Sequence, residues 1–130
     1  MTGVEKTANA FLDFLKEKNV VGIHNIWHEK GVLEYPFAPG GAYNVQGRDA
    51  IVEKLEHAFT YKTVSHFDHK ATYLMNDGNH VFLEFDGYLV NEKGESYTNN
   101  YCALVEFKEG KIILFREYYN SLIRQKFDRQ

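Results

Sequence analysis

Residues 80–120 constrain the fold more than any other stretch of the chain. Three strand-like runs, HVFLEFDGYLV, SYTNNYCALVEF and IILFREYYN, are separated by the short polar turns NEKGE and KEGK. Apolar alternation broken by Gly, Asn and Lys at short intervals predicts an antiparallel meander. In the last run Ile113, Phe115, Glu117 and Tyr119 share one face, and Ile112, Leu114, Arg116 and Tyr118 share the other. Both faces are mostly apolar, which predicts a central strand covered on both sides. Glu117 is therefore set among aromatic residues.

The remainder of the chain fits around that meander. Residues 4–18 place Val4, Ala8, Phe11, Leu12 and Leu15 at helical spacing, predicting an amphipathic helix. Asn19 is suited to cap a second, shorter helix over 20–27, with Ile23, Ile26 and Trp27 inward and Gly31 beyond its end. A short strand over 32–35 follows, closed by Pro36, and Ala38-Pro39-Gly40-Gly41 reads as a loop. No Lys-Ser/Thr follows the paired glycines, so a phosphate loop does not fit. Gly47-Arg48-Asp49 opens a third helix to about residue 59, burying Ile51, Leu55 and Phe59. From Thr63 the pattern is strands, with Asn76-Asp77-Gly78-Asn79 a strong hairpin signal; the polar tail 121–130 reads as a short helix or a frayed end.

Three helices followed by a long antiparallel sheet predict an α+β fold. A sheet apolar on both faces must curve around something, so the helices are expected to fill its hollow incompletely and leave a pocket. The 130 residues suit one domain spanning 1–130. Hydrophobic residues are 44% and aromatics 15%, enough to line a cavity as well as fill a core. A net charge of −3 without a basic block argues against nucleic acid or an anionic membrane as partner. Cys102 is the one cysteine, which excludes an internal disulfide and suits a reducing, cytoplasmic setting. Charges interrupt the N-terminal apolar positions, so neither a signal peptide nor a membrane span is expected there.

Leu33-Glu34-Tyr35-Pro36-Phe37-Ala38-Pro39, Gly47-Arg48-Asp49-Ala50-Ile51, Gly110-Lys111-Ile112 and Arg116-Glu117-Tyr118 together resemble the SnoaL-like polyketide-cyclase branch of the nuclear transport factor two-like superfamily. The resemblance covers nearly the whole chain and implies a cone-shaped sheet with helices in its hollow (a ketosteroid isomerase-like fold). It implies no single reaction, because that fold carries enzymes, binding proteins and transport adaptors. The second half is most similar to the phenazine-biosynthesis A/B proteins, through Asn99, Tyr101, Gly110-Lys111-Ile112 and Arg116-Glu117 to Asn120. There the glutamate of the Arg-Glu-aromatic motif is a general acid/base, and it matches Glu117. Their pocket histidine falls on Lys54. Ketosteroid isomerases use an aspartate base, a tyrosine and a protonated aspartate; these fall on Tyr35, Phe11 and Ala103, so that mechanism is not carried over. In enzymes resembling limonene epoxide hydrolase, one aspartate matches Glu117, while the arginine and second aspartate fall on Phe85 and Gly87.

Glu117 is thus the candidate catalytic residue, since a carboxyl stripped of water in an aromatic cone has a raised pKa and can exchange a proton near neutrality. Tyr35, Asn99 and Tyr101 are candidates to orient a ligand. Trp27 is a further candidate wall, and His66 could enter the pocket and share a proton with a ligand. His24 and His28 are spaced i, i+4 on a predicted helix, but no third ligand is evident and no metal is expected. Cys102 reads as a packed thiol rather than a nucleophile. The expected activity is cofactor-independent isomerisation, cyclisation or dehydration of a small apolar cyclic or polyketide-like molecule. The competing expectation is a binding or dimerisation module without chemistry. Leu104, Leu114 and Tyr118, on the face away from the pocket, predict a homodimer.

Overall fold

In the computed structural model, which describes residues 3–128, the helices are α1 (Gly3–Glu17), α2 (Val20–Ile26), α3 (Arg48–Ala58) and α4 (Ser121–Asp128). The strands are β1 (Trp27–Tyr35), β2 (Tyr43–Gln46), β3 (Lys62–Leu74), β4 (His80–Asn91), β5 (Ser96–Lys108) and β6 (Lys111–Tyr119). They form one curled sheet in the order β2-β1-β6-β5-β4-β3. All pairs are antiparallel except β1 with β6. β6 is central, between β1 and β5, as its two apolar faces require. The fold is α+β, with the N-terminal helices packed against the hollow of the sheet.

Helix α1 docks because Ala8, Phe11 and Leu12 fall at i, i+3 and i+4 and are all buried. Phe11 sets its ring edge-on against Trp27 at 5.5 Å and Phe115 at 4.9 Å, joining helix and sheet in the core. Each such ring, removed from water, stabilises the fold by roughly 2–3 kcal/mol. The Asn19 side chain caps α2 by accepting from Gly22 N at 2.9 Å.

Several local readings need correcting. Helix α2 ends at Ile26, and β1 begins at Trp27, five residues before the expected strand. Gly31 does not stop the helix; it lies inside β1, where a Cβ would come within 2.5 Å of the Trp27 ring. With Trp27 and His28 extended, His24 and His28 no longer share a helix face, and among the described residues no cluster of metal-ligating side chains exists. β2 was not anticipated at all: four residues, largely exposed, carry too little alternation to register as a strand.

Further corrections concern β-bulges, which shift faces. In β6 the pairing runs Leu114 to Glu106, then Ile112 to Phe107, leaving Ile113 as the extra residue. Ile112 therefore joins Phe115 in the core at 0% exposure, although simple alternation assigned it outward. In β3 the pairs Val64–Leu89 and His66–Tyr88 leave Ser65 extra, and His69–Phe85 with Ala71–Glu84 leaves Lys70 extra. Of the tail, 121–128 is helical, started by Asn120 Oδ1 accepting from the backbone of Leu122 and Ile123.

Candidate functional site

Because the helices do not fill the hollow, a cavity of about 120 Å³ remains between α1, α3, α4 and the sheet. Apolar side chains from Leu15, Leu55, Val64, Phe67 and Leu89 make much of its wall. Its polar groups come from seven different elements: Tyr35, Tyr43, Lys54, Lys62, Tyr101, Tyr119, Glu117 and Arg124. Among the eight is one carboxyl.

Glu117 reaches the cavity because it follows Phe115 by two residues on one face of β6, opposite Ala103 of β5. Ala103 has no bulk to fill the space beside it and is fully buried. Among the described residues no group donates a hydrogen bond to the Glu117 carboxyl or pairs with it as an ion. Loss of hydration disfavours its charged form and raises its pKa from 4.5 to about 7. Arg124, Lys62 and Lys54 pull the other way, but from a distance, and burial wins.

The aromatic groups around it are ordered by stacking. Tyr35 stacks on Tyr43 with centroids 4.8 Å apart, and Lys54 Nζ lies 5.2 Å and 5.7 Å from the two ring centroids. These are cation–π contacts. Burial lowers the Lys54 pKa, Arg124 lowers it further, and Glu117 partly restores it. Tyr101 lies parallel to Phe85 at 5.1 Å, on the inward side of β5. Gly87 of β4 makes that possible: a Cβ there would sit 2.8 Å from the Tyr101 ring and 3.1 Å from the Phe67 ring. Burial, then the Glu117 charge, push the phenols of Tyr35 and Tyr101 well up; Tyr119 is raised to about 12, chiefly by burial. All three remain neutral donors at physiological pH.

The structure brings together Glu117, Tyr35 and Tyr101 from the predicted set. It does not bring in the other three. Asn99 is buried, but its side chain is fully committed to protein. Its Nδ2 donates to Asn120 O at 3.0 Å and to the Tyr97 hydroxyl, and its Oδ1 accepts from Asn120 N at 3.1 Å and Asn100 N at 2.8 Å. Four bonds exhaust an amide. Asn99 therefore anchors the start of α4, which carries Arg124 to the cavity. Trp27 is 0% exposed in the core against Phe11, its indole nitrogen without a hydrogen-bond partner among the described residues, and it does not line the cavity. His66 is on the outer surface, stacked on Tyr88 at 4.1 Å, because the bulge at Ser65 turns Val64 and Phe67 inward instead.

Sequence reading missed Tyr43, Lys62, Tyr119 and Arg124, and named Lys54 without giving it a role. Lys54 had a signal, since the pocket histidine of the phenazine proteins matches its position. Arg124 had none, because the placement of α4 depends on Asn99 from another strand.

Residues 8–115 match the SnoaL-like domain. The chain belongs to that family. It is 30% identical over 121 residues to the uncharacterised protein YesE of Bacillus subtilis (strain 168), covering 91% of this chain and 82% of YesE. It is 27% identical to an uncharacterised PhzA/B-like protein of Pseudomonas aeruginosa PAO1, covering 85% of this chain and 79% of that protein. The solved structure of a candidate isomerase from Bacillus subtilis superimposes with a TM-score of 0.87 at 26% identity, over 100% of this chain and 98% of that one. The family and fold implied by Arg116-Glu117-Tyr118 and its companion motifs are therefore the right ones.

Proposed function

We propose that this SnoaL-like protein binds a small, largely apolar molecule in the cavity and moves a proton on it with Glu117, as a cofactor-independent isomerase, cyclase or dehydratase. The observation that carries this reading is a carboxyl with no hydrogen-bond or ion-pair partner among the described residues, facing a cavity at a pKa of about 7. At that pKa both protonation states are populated near neutral pH, so one group can accept a proton from carbon or oxygen and return it elsewhere. Tyr35, Tyr101 and Tyr119 supply neutral hydroxyl donors that can hold a carbonyl or enolate oxygen. The cavity is close in size to one that accepts a benzene ring (about 150 Å³), which favours a single ring over a polycyclic substrate.

The half-buried outer residues Leu104, Leu114 and Tyr118, with Phe37 58% exposed beside Tyr118, support a homodimer through the outer face of the sheet. Sedimentation at micromolar concentration tests this, and a monomer refutes it. The site itself is tested by screening small cyclic ketones, esters and acids for binding, then assaying hits for turnover with the parent protein and Glu117→Gln. Turnover that the variant abolishes while still binding supports proton transfer; binding with no turnover of any hit favours a ligand-binding protein.

A further inference from the structure

We propose that Tyr101 holds a carbonyl oxygen of the ligand, and that the buried pair Asn99 and Tyr97 fixes its hydroxyl as a donor into the cavity, so that the site selects a carbonyl compound. This rests on the reading above, in which the cavity binds the molecule on which Glu117 moves a proton.

The direction of each hydrogen bond is set from the backbone outward. Asn99 Oδ1 accepts from the N–H groups of Asn100 and Asn120, so turning the amide over would set its own NH2 against two donors. Its Nδ2 accordingly donates, to Asn120 O and to the Tyr97 hydroxyl. Tyr97 is buried, its ring packed against Phe127 at 4.7 Å and the Arg124 guanidinium at 5.8 Å. Having received a hydrogen from Asn99, the Tyr97 hydroxyl must place its own. The Tyr101 hydroxyl, 3.4 Å away, is the other group it bonds among the described residues. Either phenol can donate across that gap, and Asn99 decides which. Were Tyr101 the donor, the Tyr97 hydrogen would be buried with no acceptor among the described residues, a cost larger than the bond returns.

Tyr101 therefore accepts from Tyr97, and its own hydrogen is left for the cavity it lines. Tyr101 precedes Ala103 by two residues on β5, and Ala103 pairs with Glu117 on β6. The phenol and the carboxyl thus flank the space that the alanine leaves, and an oxygen held at Tyr101 leaves the adjoining carbons on the Glu117 side. Tyr35 and Tyr119 differ. Their hydroxyls make no hydrogen bond among the described residues, so each can turn either to donate or to accept. Tyr101 has no such freedom, and a ligand without an acceptor would strand its hydrogen.

Isothermal titration of the full chain with cyclohexanone and methylenecyclohexane, which replaces the oxygen by a CH2 group of similar size, tests the proposal. The preference for the ketone should fall about tenfold in Tyr101→Phe, as expected for one buried hydrogen bond. It should fall about threefold in Tyr97→Phe, because the Tyr101 hydrogen is then no longer directed by a neighbour. A purely structural loss would weaken both probes alike and leave their ratio where it was. Infrared spectra of the parent with carbon-13-labelled cyclohexanone need no variant. At about pH 9, where Glu117 is ionised and cannot donate, the bound carbonyl stretch should lie below its value in cyclohexane. A stretch equal to the hydrocarbon value, or a preference that Tyr101→Phe leaves unchanged, would overturn the proposal while sustaining a ligand cavity. A Tyr97→Phe protein that melts like the parent yet keeps the full preference would overturn the relay. Failure of both probes to bind would overturn the cavity reading as well.

Discussion

Replacing Glu117 by Gln keeps the shape of the side chain and removes its titration. The rise of the carboxyl pKa from 4.5 to about 7, at about 1.4 kcal/mol per pH unit, corresponds to roughly 3 kcal/mol. The sign follows from proton counting. Between pH 4.5 and 7 the folded protein holds a proton on Glu117 that the unfolded chain has released, so stability falls as pH rises through that window. Below it both states are protonated; above it the penalty is complete. Relative to the parent, the Gln variant should therefore gain about 3 kcal/mol in stability between pH 4 and pH 8, and the gain should level off above pH 8. Urea melts of both proteins across that range measure the difference directly, and any constant offset from the amide cancels out. A difference that turns against Gln as pH rises would show that Glu117 is held as an ion pair, and a flat one that its pKa is unshifted by folding; either would refute the reasoning.

Other changes probe the supports of the site. Asn99→Ala should cost about 1–3 kcal/mol by stranding the backbone N–H and C=O of Asn120, and hydrogen exchange should show faster opening of α4. Gly87→Ala should cost about 1–3 kcal/mol and displace Tyr101, because the added methyl meets two rings that cannot both withdraw; loss of ligand binding beyond the stability change would mark the displacement. Phe115→Ala removes a 0%-exposed ring under both Phe11 and Glu117 and should cost about 3–5 kcal/mol in denaturant melts. Arg124→Met should raise the Glu117 pKa above 7, since Arg124 is the first of the cations that hold it down.

Strands β4 and β5 were legible because each buries one face, so Val81, Leu83 and Phe85, or Ala103, Val105 and Phe107, repeat with period two whatever their partners. Glu117 was legible for the same reason: it falls in that period two residues after Phe115. Alternation fails where a strand carries an extra residue, and nothing local announces one. Ser65, Lys70 and Ile113 look like ordinary strand residues, yet they decide that His66 faces outward and Ile112 inward. Trp27 misled because an apolar residue at a helix-strand junction continues either pattern; the ring packs against Phe11 from the first residue of β1. The cations were hidden by distance in sequence. Lys54, Lys62 and Arg124 share a cavity only because the sheet curls, and Arg124 only because Asn99 holds Asn120.

The most direct test is to titrate Glu117 itself, following the carboxyl carbon by nuclear magnetic resonance with Glu117→Gln to assign the signal. The structure predicts a midpoint near 7, moving upward in Arg124→Met. A midpoint at or below the ordinary 4.5 would contradict the account, because a carboxyl fully ionised at neutral pH cannot serve as the proton donor of this site.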